Sequence, residues 1–353
     1  MWKDKRATQL LGIKYPIIQG PFGGRFSSAE LVSTISNLGG MGSFGLNAYE
    51  PEEILEVDNE IKRLTQHSYA LNLWVPLKDD PAKKYTPREF NQLKQLFRPY
   101  FEELKLPVPS LPKPQGPVFE QQVEAVLKVK PPVMSFIFGI PEKEVLKSFK
   151  KAGTTTIGTA TTEEEALLIE AAGLDLVVVS GAAAGGHRAA FLKSAEDSLY
   201  DTYTLVSRIS KKIKIPIIAA GGIGNSKQVV EMLKAGASAV QIGTAFLATK
   251  ESGAPDYHKT ALRSKKLLKT SLTTVYTGRL ARAISNNFSE RYSDVQSQQM
   301  APFPIQSSFL APLRKELIRQ GRYDEIALWA GQPTSPLEHS SATALFNMLL
   351  TEI

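Results

Sequence analysis

The sequence contains no cysteine. This absence excludes disulfide bonds, thiolate metal sites and a cysteine nucleophile. No apolar run approaches the roughly 20 residues that a transmembrane helix requires, and the first residues lack the apolar core of a secretory signal. We therefore expect a cytoplasmic protein that does not enter a membrane.

Other patterns are missing as well. The net charge of +7 is scattered, with one short lysine cluster at 211–214, so the basic stripe with interleaved aromatics that nucleic-acid binding requires is absent. The four histidines include no pair at metal-ligand spacing. We expect no nucleic-acid partner and no metal, and we expect His67, His258 and His339 to have surface or capping roles.

What the sequence does contain is an alternation of apolar runs and helical patterns. Eight runs are predicted to form strands, at 16–18, 41–44, 69–75, 133–138, 154–158, 174–179, 215–220 and 238–242. Ser27-Ser28, Pro51 and Asn225-Ser226 stand where helices are predicted to begin. Strands alternating with helices form parallel sheets, and eight such units predict a closed (β/α)8 TIM barrel of the α/β class rather than an open doubly wound sheet.

Two segments break this alternation. A proline-rich insertion, about 76–117, follows the third predicted strand and carries an amphipathic helical pattern near 90–104, as a lid or a surface embellishment. From about residue 251 the chain becomes irregular and helical. We predict a barrel domain over 1–250 and a C-terminal helical extension over 251–353, packed near the barrel mouth.

The loop after the sixth predicted strand consists of small residues and ends in a histidine. It reads Ser180-Gly181-Ala182-Ala183-Ala184-Gly185-Gly186-His187. Glycine and alanine allow a ligand to approach the backbone, and barrels place their chemistry at the carboxyl ends of strands. His187 is therefore a candidate catalytic residue, with a glycine-rich turn and a surface histidine as the alternative.

The seventh and eighth predicted strands end in Gly221-Gly222 and in Gln241-Ile242-Gly243-Thr244. Barrels frequently bind phosphate between these two loops through backbone N–H groups, although tight βα turns would also use glycine. Extended glycine backbone occurs at Gly20, Gly23, Gly185 and Gly186. A flat, phosphorylated ring system such as FMN would fit these openings, with Gln19 or Asn72 as amide partners.

Five motifs together resemble the nitronate monooxygenases: Tyr15–Pro21, Gly39–Gly42, Gly185–His187, Ala219–Ile223 and Gln241–Thr244. Three tail motifs extend the resemblance over almost the whole chain: Thr277–Arg282, Ala311–Arg314 and Leu328–Gln332. The resemblance implies a barrel enzyme that uses FMN and molecular oxygen to oxidise alkyl nitronates, with propionate 3-nitronate as a candidate substrate.

The resemblance also implies residue roles. His187 falls at the catalytic histidine of the family, either as a base that removes the proton next to a nitro group or as a group that holds the nitronate oxygens. Together with the glycines above, the cofactor-binding set is predicted to be Gln19, Gly20, Asn72, Ser180, Gly185, Gly186, Gly221, Gly222, Gln241, Ile242, Gly243 and Thr244.

Three departures from the family pattern leave the substrate open. Ser180 stands where relatives commonly have Gln or Glu, Ala183 where they have Glu, and Ala189 where they have Gly. Arg279 and Arg282, three apart on a predicted helix, could face one anion, and the Tyr276 hydroxyl is a further candidate substrate contact.

Other functions fit parts of the pattern. A flavin-dependent enoyl-acyl-carrier-protein reductase using NADH is the alternative enzyme, and a flavin-binding or phosphate-sensing protein without turnover is the alternative from another class. IMP dehydrogenase requires a cysteine, which this chain lacks. A homo-oligomer is compatible with all of these.

Overall fold

The computed structural model describes residues 2–77, 79–112, 118–264, 269–295, 297–333 and 336–353. Its eight parallel barrel strands are Ile17–Gln19, Gly42–Gly45, Tyr69–Trp74, Val133–Ile137, Thr155–Ala160, Leu176–Ser180, Ile217–Ala220 and Ala239–Ile242. The first strand pairs with the eighth, and a parallel bridge between Ile18 and Met41 joins the first to the second. The predicted TIM barrel is confirmed.

A helix follows each of the first seven strands. These helices are Ala29–Asn37, Pro51–Leu64, Phe119–Val129, Lys143–Lys151, Glu163–Ala171, Thr202–Ile209 and Ser226–Lys234. The predicted caps form, since Ser28 Oγ accepts from Leu31 N and Asn225 Oδ1 from Gln228 N. Among the described residues, no helix has the length and apolar character needed to cross a bilayer.

The last helix of the chain, Ala342–Leu349, completes this outer ring. It packs against the helices Ala29–Asn37 and Ser226–Lys234, and its Phe346 ring lies 6.1 Å from that of Tyr15. The eighth strand itself is followed only by the short helix Thr244–Leu247. The division of the chain at residue 250 stays a prediction, but its final helix belongs to the barrel wall.

The helix Arg6–Leu11 closes the amino-terminal end of the barrel. The sequence patterns did not predict this helix. Its Ala7 and Leu11 join one buried apolar cluster with residues of the barrel strands, among them Ile18, Ala70 and Ala220. Arg6 donates to Lys214 O, just before the seventh strand. This helix closes the end of the barrel opposite the loops that follow the strands.

The insertion and the C-terminal segment form a second hydrophobic core. The predicted insertion helix is present as Pro87–Glu103, beginning at the Thr86 cap. Its buried face carries Phe90, Leu93, Phe97, Tyr100 and Phe101, whose aromatic rings contact Phe288, Tyr292 and Phe309. These residues share one cluster with Val275, Tyr276, Ile305, Leu313, Ile326 and Leu328. We call this helix together with the described residues of 269–333 the second layer. Its other helices are Asn287–Arg291, Ile305–Phe309 and Ala311–Arg319.

A small antiparallel sheet connects the second layer to the barrel. Its strands are Thr270–Thr273, Ala281–Ile284 and Gly186–His187, with the middle one pairing with both others. Ala281 lies opposite His187, and Arg282 lies opposite Gly186. The prediction of a helix carrying Arg279 and Arg282 was therefore wrong, because pairing with the histidine loop holds this segment extended.

Candidate active site

His187 lies where the loop after the sixth barrel strand meets the second layer. Three aromatic rings surround its imidazole, with centroids 5.6 Å away for Trp74, 5.7 Å for Phe303 and 5.3 Å for Trp329. Its Nε2 is 2.9 Å from Thr277 Oγ1. Trp74 ends the third barrel strand, whereas the other three contacts come from the second layer. The surroundings of His187 therefore require both parts of the molecule.

The imidazole of His187 is neutral at neutral pH. Burial, and to a smaller extent the positive charge of Arg279, lowers its pKa to about 3. The residue nevertheless keeps part of its surface accessible to solvent. His187 is therefore enclosed by protein on most sides and keeps a partly accessible surface through which a small ligand could reach it.

Arg279 supplies a positive charge next to this histidine. Its guanidinium lies 3.8 Å from the ring centroid of Phe138, and Nη2 donates to Ala190 O at 2.9 Å. Burial lowers the pKa of Arg279 to about 10, which still leaves a cation at neutral pH. Arg282 points elsewhere and donates to Ala182 O at 2.9 Å. The two arginines therefore do not form the shared anion site considered above.

Two buried charged residues secure the chain on either side of His187. Arg188, with 1% of its surface exposed, donates to the carbonyls of Gly181, Ser180 and Ser198 at 2.6, 3.2 and 2.7 Å. Glu165, fully buried, accepts from the backbone N–H groups of 191 and 192 at 2.6 and 3.1 Å. The sequence reading missed Glu165, since the run Glu163-Glu164-Glu165 resembles a solvated helix start.

The predicted glycines divide into two groups. A Cβ at Gly186 would meet nothing within 4 Å, and one at Gly243 would meet only Phe22, at 4.0 Å. A Cβ at Gly185 would instead lie 2.5 Å from Gly331 N, and one at Gly20 would lie 3.3 Å from Gln241 Cγ. Gly186 and Gly243 therefore border open space. At Gly185 and Gly20, neighbouring atoms of the protein occupy the space that a side chain would need.

Gly221 and Gly222, after the seventh strand, have φ angles of +114° and +74°. Most side chains avoid this left-handed region, so glycine is the residue that suits this turn. The turn exposes backbone close to Ala183, whose Cβ would lie 3.0 Å from a Cβ at Gly222.

The tail segment 329–332 crosses the carboxyl end of the barrel. Gly331 N donates to Thr244 Oγ1, and Gln332 N donates to Ala183 O, both at 2.8 Å. His258 Nε2 lies 3.0 Å from Trp329 O and donates to it, since a carbonyl can only accept. The expected surface role of His258 was wrong: the residue is fully buried and holds the segment that carries Trp329.

The two predicted amide partners differ in what they leave free. Asn72 Nδ2 donates to Ser135 Oγ at 2.8 Å, and within the described part of the chain its Oδ1 accepts no hydrogen bond. Gln19 Oε1 accepts from Ser43 N at 3.0 Å, and its Nε2 donates to Gly20 O. Tyr276, a candidate substrate contact, donates its hydroxyl to Asn286 at 2.7 Å inside the second layer. Of these three side chains, Asn72 keeps a vacant acceptor.

A TIM barrel with a reachable neutral histidine at the carboxyl ends of its strands has the construction of a barrel enzyme. The nitronate monooxygenase family model matches residues 4–352. The chain belongs to the nitronate monooxygenase family and is an oxidoreductase.

It is 36% identical over 349 residues to a probable nitronate monooxygenase of Staphylococcus saprophyticus, covering 98% of this chain and 97% of the relative. Identity to the Staphylococcus haemolyticus protein of the same name is 34%, covering 100% and 98%.

Solved structures agree with this assignment. A nitroalkane oxidase from Streptomyces ansochromogenes superposes with a TM-score of 0.87 at 31% identity, covering 98% of this chain and 97% of that one. FabK from Thermotoga maritima superposes with a TM-score of 0.73 at 23% identity, covering 98% and 95%. The second likeness extends to the fold alone.

Proposed function

We propose that this protein oxidises alkyl nitronates with molecular oxygen and FMN, with propionate 3-nitronate as a candidate substrate. The observation that carries the proposal is a neutral, reachable imidazole next to a buried guanidinium inside an aromatic pocket. A nitronate is a small anion with an alkyl chain. Arg279 supplies the opposite charge, while Trp74, Phe303 and Trp329 supply apolar surface for the chain.

Of the two roles considered for His187, its lowered pKa favours holding the nitronate oxygens over removing a proton. A general base works best when its pKa is near the working pH, and about 3 is far below neutrality. A nitronate arrives already deprotonated, so it needs a hydrogen-bond donor and not a base. We propose that His187 donates a hydrogen bond to the nitronate.

The carboxyl end of the barrel fits FMN in its residue types. Gly186 and Gly243 border open space, while the backbone of Gly222 and the hydroxyl of Thr244 could hold the phosphate. The vacant Asn72 Oδ1 suits a flavin N–H. When bound, the flavin would supply the electron transfer between nitronate and oxygen.

The packing around the other predicted cofactor residues separates those that could contact a ligand from those that are already in contact with the protein. Ser180, Gly221, Gln241 and Ile242 remain in the proposed site, since they end the sixth, seventh and eighth strands at the same edge. For Gly20 and Gly185, contacts within the chain already explain the glycine, and the Gln19 amide is bonded at both ends.

The direct test is spectroscopic and kinetic. Purified protein supplied with FMN should bind it and consume oxygen with a nitronate, and His187→Asn, which displaces the hydrogen-bond donor to the nitronate oxygens, should lower the rate of turnover by about 10²-fold while FMN stays bound. A matched His67→Asn variant, at an exposed position, should behave like wild type. A protein that stays colourless with FMN would contradict the cofactor proposal. Anaerobic bleaching of the flavin by NADH, with none by a nitronate, would favour the enoyl reductase.

A further inference from the structure

We propose that Thr277 is a positioning residue that sets the tautomer of His187, so that the imidazole presents an Nδ1–H donor to its ligand. The juxtaposition that carries this proposal is the 2.9 Å contact between Thr277 Oγ1 and His187 Nε2. The identity of the ligand as a nitronate rests on the proposed function, whereas the tautomer itself does not.

The contacts of the Thr277 hydroxyl indicate where its single proton goes. Oγ1 lies 2.9 Å from His187 Nε2, 3.2 Å from Arg279 O and 3.4 Å from Arg279 N. Donors of the O–H type ordinarily stand within about 2.5–3.0 Å of an oxygen acceptor. The hydroxyl can donate its one proton either to Arg279 O, at 3.2 Å, or to Nε2, at 2.9 Å, and because the contact to Nε2 is the shorter we infer that it donates there.

This assignment determines the other ring nitrogen. A neutral imidazole has one donor and one acceptor nitrogen, so an Nε2 that accepts leaves the proton on Nδ1. Within the described part of the chain, Nδ1 makes no hydrogen bond. A ligand enclosed by Trp74, Phe303 and Trp329 would therefore meet an N–H group.

The second layer holds the hydroxyl in place. Thr277 is 8% exposed and lies in a turn closed by the bond from Gly278 N to Thr274 O, at 2.7 Å. Gly278 is packed so closely that an added Cβ would lie 1.7 Å from Ala301 O. The close packing of Gly278 on Ala301 therefore holds the backbone of the turn that carries Thr277.

The tautomer has a consequence for the choice between related ligands. The oxygens of a nitronate accept hydrogen bonds, so an Nδ1–H group binds them. Removing the acidic C–H proton of a neutral nitroalkane would instead require a bare nitrogen. The Nδ1–H form therefore selects for nitronates over the corresponding nitroalkanes.

The tautomer can be measured directly by NMR on full-length protein carrying FMN and labelled with ¹⁵N-histidine. The chain has four histidines, and the resonances of His187 are those lost in His187→Asn. We expect the Nδ1–H form in wild type and in Thr277→Ser, and its loss in Thr277→Val. Thr274→Val, in the same turn, is the matched control and should leave the Nδ1–H form unchanged.

Kinetics provides the second measurement. Thr277→Val should lower kcat/KM for a short alkyl nitronate about tenfold, the effect of one hydrogen bond, with less effect on the matching nitroalkane. Thr277→Ser, which keeps the hydroxyl, should restore the wild-type ratio of kcat/KM for the nitronate to kcat/KM for the nitroalkane. An Nε2–H form in wild type would overturn the proposal even if Thr277→Val did not fold, as would an unchanged tautomer in Thr277→Val. A wild-type protein that does not oxidise nitronates would contradict the proposed function and leave the tautomer result standing.

Discussion

The barrel and the second layer border the same histidine but are built differently. On the barrel side, the loops after the sixth, seventh and eighth strands begin with small residues, among them Gly186, Gly222 and Gly243, and the third strand adds the ring of Trp74. On the other side stand the bulky groups Arg279, Phe303 and Trp329. The barrel leaves room for a large planar ligand, while the second layer sets the charge and polarity that the histidine experiences. The room for a ligand therefore comes mainly from the barrel, and the charge and polarity around His187 come mainly from the second layer.

The largest effect should come from a glycine at the centre of the second layer. In Gly278→Ala, the new Cβ would lie 1.7 Å from Ala301 O, at a φ of +77°. We expect the free energy of unfolding to fall by about 5 kcal/mol or more. The matched control is Gly321→Ala, at φ +70° with nothing within 4 Å, which should cost only about 1 kcal/mol. Equal losses in the two variants, measured by urea denaturation, would refute this packing argument.

The two hydrophobic cores can be compared by removing one buried ring from each. Phe97 lies in the second layer and Phe149 in the barrel wall, and both are fully buried. Either change to Ala should lower the free energy of unfolding by about 3–5 kcal/mol. Hydrogen exchange should then rise mainly in 275–328 for Phe97→Ala and mainly in the barrel strands for Phe149→Ala. The same exchange pattern in both variants would mean that the two cores unfold as one unit.

The connection between the two parts can be weakened at His258. His258→Leu removes the donor to Trp329 O and leaves a buried carbonyl without its partner, at a cost of about 1–3 kcal/mol. His258→Gln retains a donor and should recover part of that loss. Because Trp329 contacts His187, nitronate turnover should fall more in the Leu variant than in the Gln variant. Identical turnover in both would separate His258 from the site.

The smallest effect should appear in the pH dependence of stability. The pKa values of His187 and His258 are lowered, chiefly by burial. The unfolded chain, with histidine pKa values near 6.5, then binds more protons than the folded one. Stability from these groups is complete above pH ~6.5 and is lost as the pH falls towards the folded values.

For His187 alone, we expect the loss between pH 7 and pH 5 to be about 1–2 kcal/mol. Denaturation at both pH values should show a smaller difference in His187→Asn than in wild type, with His67→Asn as the exposed control. A difference that is unchanged in His187→Asn would show that the folded imidazole titrates normally.

Much of the fold could be predicted because it depends on local patterns. Most barrel strands are short runs dominated by apolar residues, and helix caps and glycines mark where they stop, so patterns of a few residues were enough to predict all eight. The antiparallel sheet could not be found this way. Its two-residue strand Gly186–His187 has no periodicity of its own and exists because Ala281–Ile284 pairs with it.

The residues around the candidate site show the same division. His187 and the glycines could be predicted from their residue types and from their positions directly after strands. Thr277 and Trp329 fall in two tail motifs of the family resemblance, but their residue types alone do not assign them to a site. Glu165 and His258 gave no such signal, since one glutamate of three and a histidine in a polar stretch ordinarily have surface roles. The contacts of these four residues to the histidine loop or to one another join segments that are distant along the chain.

By itself, the sequence excluded disulfides and cysteine chemistry. It also determined the order of strands and helices, and it placed a histidine and several glycines at the carboxyl ends of barrel strands. The tertiary structure decided how that histidine behaves. The insertion helix and the described residues of 269–333 bury each other's apolar faces, and this packing brings Thr277 and Arg279 to His187. Burial and a neighbouring charge act over a few ångströms in space, whatever the separation along the chain, so the neutral state of His187 followed from the folded arrangement alone.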